Sequence, residues 1–166
     1  GIASIVTACE QFLAHPERKH GKIRLAFGPD EELGARGAKL FDVDHFAADF
    51  AYTIDGGPIG NLTYDNFNAA QAELTIRGTS VHPGSAKDTM VNALLVASQF
   101  ATALPQHETP ERTSGHEGYY FLTCQSGTVD EVKQTYYIRD HDRERFAARK
   151  QFFAEQVAIF NSRFVE

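Results

Sequence analysis

The spacing of apolar residues changes period along the chain. Ile2, Ile5, Val6, Cys9, Phe12 and Leu13 recur at i, i+3, i+4 and i+7, which predicts a helix with one buried face. Only Gly1 precedes it, so no capping side chain opens the helix, and so abrupt a start predicts further sequence upstream. Pro16 and the polar run 17–21 end it. Residues 23–27 and 50–54 are short apolar runs stopped by Gly28-Pro29 and by Gly56-Gly57-Pro58, as buried strands are. Short helices are expected over 38–41 and near 44–48. Helix, strand, helix, strand predicts an α/β sandwich with a largely parallel sheet.

After Pro58 the pattern is different. Ala70, Ala72, Leu74 and Ile76 alternate with Gln71, Glu73 and Thr75, the period-two signature of a half-exposed strand. Met90, Ala93, Leu94, Ala97, Ala101 and Leu104 form a helical stripe. A long polar loop over 106–117 follows, with Pro110 and Gly115 in it. Residues 119–124 and 132–138 read as strands flanking Ser126-Gly127. Phe146, Phe153, Val157, Phe160 and Phe164 then line a long helix running on to Glu166, with Asp142 and Glu144 favourably placed near its N-terminus. The second region is therefore β, α, β, β, α, which is the ferredoxin-like order βαββαβ without its last strand. The expected fold class is α/β, an α/β region over residues 1–60 followed by an α+β domain over 61–166.

Composition adds limits. Of 166 residues, 42% are hydrophobic and 23% charged, with a formal net charge of -6. This suits a chain with a sizeable core and gives no basic footprint for nucleic acid. No apolar run approaches the ~20 residues that span a bilayer, and no basic segment precedes an apolar one as in a signal peptide. The expectation is a cytoplasmic protein without nucleic-acid or membrane partners. Cys9 and Cys124 belong to no metal-binding pattern and are expected as buried, reduced thiols.

The chemistry-bearing residues sit at the ends of the predicted elements. Asp30-Glu31-Glu32 follows the strand 23–27, at the end where open parallel sheets collect functional groups. Three adjacent carboxylates repel one another unless solvated or bound to a cation, so both an acidic turn and a metal site are open. Asp55 ends the strand 50–54 before Gly56-Gly57, either as a turn residue or as a second ligand. His82, in Val81-His82-Pro83-Gly84, is either a loop histidine or a donor to an oxyanion. Arg139 offers a fork for a substrate carboxylate, or pairs with Asp140 or Asp142 at the surface. His141 lies between those aspartates and reads as part of a charge cluster at the helix entry. No histidine pair has HxxxH or HExxH spacing, and no Gly-x-Ser-x-Gly elbow is present.

Together these motifs carry a resemblance. Pro29-Asp30-Glu31-Glu32-Leu33-Gly34, Tyr52-Thr53-Ile54-Asp55-Gly56-Gly57, the run from Asp65 to Ala70, Val81-His82-Pro83-Gly84, Met90-Val91-Asn92-Ala93, His116-Glu117-Gly118-Tyr119-Tyr120 and Ile138-Arg139-Asp140 resemble the peptidase T family of tripeptide aminopeptidases. These are di-zinc exopeptidases with an α/β catalytic domain and an inserted ferredoxin-like lid that mediates dimerisation in many relatives. The resemblance implies that the chain is an internal segment, with residues 1–60 from the catalytic domain and 61–166 from the lid. It implies Glu31 as the general base, Glu32 and Asp55 each as a ligand of one zinc, His82 as a stabiliser of the tetrahedral intermediate, and Arg139 as the receptor of the peptide carboxylate.

Two zincs per complete active site, a short peptide substrate and a homodimer are implied as well. The family's remaining ligands, two histidines and a bridging aspartate, would lie outside these residues, so this segment alone is expected to be inactive. Gly34-Ala35-Arg36-Gly37 is one residue longer than the family's step, and phenylalanine is expected where His141 stands, which leaves His141 without a role. Two other readings remain. The chain could be a non-catalytic folding or dimerisation module, or come from another member of the family, a dipeptidase or an N-acyl amino acid deacylase.

Overall fold

The computed structural model describes residues 1–164. The chain forms two compact units, Gly1–Thr63 and Tyr64–Glu166.

In the first unit, α1 spans Ile2–Ala14 and opens on Gly1 without a side-chain cap, as its sequence predicts. A 3-10 turn follows at Gly37–Leu40, then a single helical turn, α2, at Val43–Phe46. Asp42 caps α2 by accepting a hydrogen bond from the His45 amide at 2.8 Å, and Ala47 closes it in the left-handed conformation. The expected buried strands are not formed. Residues 23–27 and 50–54 carry no strand pairing among the described residues, and Phe27 and Phe50 are exposed. An apolar run becomes a strand only with a ladder partner, and a helical stripe is buried only by an opposing layer. Neither is supplied within this unit: no residue of 1–63 is buried, and Leu13 of the α1 stripe is 83% exposed. Cys9 is half-buried, against the expectation of a buried thiol.

The second unit follows the predicted order. β1 is Asn68–Arg77, α3 Ala93–Ala103, β2 Tyr119–Gly127, β3 Glu131–Asp140 and α4 Arg143–Ser162. The helix expected to run on to Glu166 ends at Ser162, and residues 165–166 lie outside the described residues. The sheet order is β1-β3-β2, with β3 antiparallel to both neighbours. β1 alternates half-buried and exposed positions along its whole length, as its period-two pattern requires. On β3 the buried set is Val132, Gln134, Tyr136, Ile138 and Asp140. Phe100 and Leu104 of the α3 end and Phe153 and Phe160 of α4 join Tyr120, Tyr136 and Ile138 in one core. Phe100 meets Tyr136, Phe153 and Phe160 edge-on, the arrangement ring quadrupoles favour. Cys124 is exposed on β2 instead of buried, because the inward alternation of that strand is lost after Leu122, where the register with β3 shifts.

A buried polar residue ties helix to sheet. Gln134 donates through Nε2 to the Ala97 carbonyl at 3.0 Å and to Gln125 Oε1 at 2.7 Å, and its own oxygen accepts from the Tyr136 hydroxyl at 3.1 Å. The amide is fully satisfied, so burial costs it little. Burial pushes the Tyr136 phenol well above its ordinary value. Among the described residues no helix is long and apolar enough to cross a membrane.

The contrast between units predicts uneven protection. Amides of α3 and β3 are expected to exchange only on global opening, whereas those of residues 15–63 should exchange within the shortest labelling times. Hydrogen-exchange mass spectrometry checks this. Equal protection of the two regions would contradict it.

Candidate functional site

Glu31 and Glu32 lie in a turn that Asp30, Gly34 and Ala35 form with positive φ. The Gly34 amide donates to the Glu31 carbonyl at 3.0 Å, and the Ala35 amide to the Asp30 and Glu31 carbonyls, both at 3.0 Å. The Ala35 carbonyl then accepts from the Ala38 amide at the start of the 3-10 turn, so the segment 34–37 is taken up in local backbone bonding. Glu31, Glu32 and Asp55 are all exposed, and among the described residues they join no group of three metal-ligating side chains.

His82 begins the 3-10 turn Pro83–Ser85, and its Nδ1 accepts from the Gly84 amide at 3.1 Å. With Nδ1 accepting, Nε2 is the nitrogen left at the exposed edge to donate. A ring N–H at that edge is what donation to an oxyanion needs. A Cβ on Gly84 would sit 3.1 Å from Nδ1 and 3.2 Å from Cε1 of the same ring. Gly84→Ala is therefore expected to turn the imidazole and loosen its tautomer, read as an altered ring-nitrogen shift in NMR without loss of the fold.

Arg139 is the penultimate residue of β3, beside Ala69 of β1 and Tyr119 of β2. Its guanidinium lies over the Phe67 ring at 4.4 Å, and its Nε is buried without a hydrogen-bond partner. The aspartates that could have paired with it are engaged elsewhere. Asp140, 1% exposed, accepts from Arg149 Nε at 2.8 Å and from the Asp142 amide at 2.9 Å, with Arg145 at 3.5 Å. Asp142 caps α4 through the Arg145 amide. Burial alone would raise the Asp140 pKa, but the Arg149 hydrogen bond, the Asp142 amide and the two arginine charges outweigh it and hold the carboxyl below its ordinary value. Arg149 also binds Glu108 at 2.6 Å. Gly118 packs so closely here that a Cβ would fall on the Asp140 carboxylate, Arg149 Nε and the Arg139 carbonyl.

The structure also gathers three residues to which sequence reasoning gave no role together. Ligand atoms of Asp65, His116 and His141 lie within 4.8 Å of one another, the one such group of three among the described residues. Asp65 and His116 Nε2 are in direct contact. The His116 and His141 rings are 4.5 Å apart, and His141 meets Phe67 at 6.0 Å. Sequence spacing could not show this, because 51 residues separate Asp65 from His116.

Residues 64–166 match the family model described as the peptidase dimerisation domain. The chain is 56% identical, over its full length, to a peptidase T of Enterococcus faecalis and 52% identical to one of Clostridium novyi, and covers 40% of each. It thus spans about two fifths of the length of the curated relatives it matches. The crystal structure of aminopeptidase PepT from Bacillus cereus superimposes with a TM-score of 0.73 over 88% of this chain and 40% of that one, at 24% identity, a likeness of fold. The resemblance carried by the sequence motifs is thereby met, and through residues 64–166 the chain belongs to the peptidase dimerisation domain family.

Proposed function

We propose that this chain is a segment of a cytoplasmic metallopeptidase of the peptidase T kind, which removes the N-terminal residue from tripeptides. In this reading residues 1–60 belong to the catalytic domain and 61–166 form the lid through which two copies associate. The observation that carries it is Arg139. A guanidinium braced on Phe67, with no carboxylate partner among the described residues, is a ready fork for the terminal carboxylate of a short peptide. The similarity to peptidases T supports the same reading.

Glu31 would accept a proton from the attacking water, and the Nε2–H of His82 would donate to the developing oxyanion. When bound, zinc would supply Lewis acidity and an acidified water. Glu32 and Asp55 are oxygen donors of suitable chemistry. They are fewer than the three or four protein ligands a zinc takes, and no step is assigned through the metal on these two alone. A competing reading, a dimerisation module without catalysis, is favoured by the exposure of Glu31, Glu32 and Asp55.

The substrate test uses tripeptides with a free or an amidated C-terminus and the complete protein. Arg139→Met is expected to raise KM for the free acid about 10- to 100-fold, the worth of a charged hydrogen bond, and to leave KM for the amide unchanged. Equal effects on both substrates would remove Arg139 from carboxylate recognition. Tripeptide turnover by this chain alone would sink the competing reading of a non-catalytic module.

A further inference from the structure

We infer that Asp65, His116 and His141 form a binding site for a divalent transition metal of the zinc class. β1 and β2 both run antiparallel to the central β3, so the starts of β1 and β2 and the end of β3 meet at one edge of the sheet. Asp65 lies just before β1, His116 just before β2, and His141 just after β3. Each strand delivers one donor to the same corner.

The corner is built to hold them. Asn68 donates through Nδ2 to the Asp140 and His141 carbonyls at 3.1 and 3.2 Å, fixing the backbone that carries His141. His116 stands in a turn closed by the Glu117 amide on the Ser114 carbonyl at 3.1 Å and by the Ser114 amide on Glu117 Oε2 at 2.8 Å. Phe67 packs its ring against His141.

The donor set selects the ligand. Two imidazoles and one carboxylate suit zinc and its neighbours, whereas magnesium and calcium take oxygen alone. Tetrahedral zinc holds its donors about 3.3 Å apart, given metal–ligand bonds near 2.0–2.1 Å. The three atoms already lie within 4.8 Å, and the side chains of His116 and Asp65 are 67% and 40% exposed, free to rotate the remaining distance. A simple Asp65–His116 ion pair leaves the third member unexplained. His141 Nδ1 is buried with no hydrogen-bond partner, and its ring lies 4.5 Å from that of His116. A shared cation would employ all three residues. Three protein ligands leave a fourth position for water or a small anion.

The test uses the 166-residue chain, stripped with a chelator and titrated with Zn²⁺ by calorimetry and with Co²⁺ by visible absorption. The Glu32→Gln/Asp55→Asn variant removes the donors invoked in the proposed function. Binding of one equivalent should persist in that variant, with the intense visible bands of tetrahedral Co²⁺. His141→Phe, His116→Ala and Asp65→Asn should each weaken it by more than about 100-fold, beyond the loss typical of outer-shell changes. His116→Ala changes an exposed side chain, so its unfolding midpoint without metal should match the parent's and separate lost binding from lost fold. Unchanged affinity in the histidine variants, loss of binding in Glu32→Gln/Asp55→Asn, or no uptake at all would overturn the site. The peptidase reading fails by a different measurement, peptide turnover by the complete protein.

Discussion

Glu31→Gln in the complete protein should lower kcat by roughly 10²- to 10⁴-fold, the usual contribution of a positioned general base, while zinc content stays constant. The substitution keeps the size and the exposed turn position of the side chain. It removes the capacity to take a proton from water, since an amide oxygen is a far weaker base than a carboxylate. Glu32→Gln should behave oppositely, weakening zinc retention. The two adjacent residues are therefore separated by two measurements, kcat at saturating tripeptide and metal per protein by atomic emission. Near-normal turnover in Glu31→Gln would remove the general-base assignment, and metal loss in that variant would make Glu31 a ligand.

Arg149→Met should destabilise the second unit by about 3 kcal/mol, because it removes the main partner of a buried carboxylate and leaves only the Asp142 amide and the longer Arg145 contact. Arg149 is the main partner of Asp140, at 2.8 Å, and also joins Glu108 at 2.6 Å. Asp140→Asn in the Arg149→Met background should recover part of the loss, since the amide carries no charge to strand. The Asp140 carboxyl titrates below its ordinary value in the folded chain. Its stabilising contribution is therefore complete above the unfolded pKa of about 3.9 and is lost as pH falls through the lower folded value. Urea unfolding at neutral pH and across the acid range tests both points. Asp140→Asn should flatten the acid limb, and an unchanged pH slope would contradict the pairing. Gly118→Ala should damage the same unit, because its Cβ meets this ion pair and not open space.

Much of the second unit was legible from periodicity. The period-two run at 70–76 became β1, the apolar stripe after Met90 became α3, and Phe146, Phe153, Val157 and Phe160 became one face of α4, while Phe164 lies past its end and is exposed. Local chemistry fixed these outcomes, because alternation and helical spacing are properties of neighbours in the chain. In the first unit the same reasoning found the helices, but the two strands it expects are not formed. Residues 23–27 have strand composition, yet a strand exists only in its ladder.

The chemistry divides along the same line. Glu31, Glu32, Asp55, His82 and Arg139 were found as residue types at element ends and given roles by motif resemblance. The structure adds to two of them what spacing could not. It engages His82 Nδ1 with the Gly84 amide and frees Arg139 by drawing Asp140 to Arg149. His141 looked like one more charge at a helix entry, with Asp140 and Asp142 on either side. Asp140 is buried against arginines and Asp142 caps α4, so the histidine is left facing His116 and Asp65. Sequence determined the order of elements and the repertoire of chemical groups, because both are written in local pattern. Which groups meet was decided by the antiparallel register of three strands, since only that pairing brings residues 65, 116 and 141 to one corner.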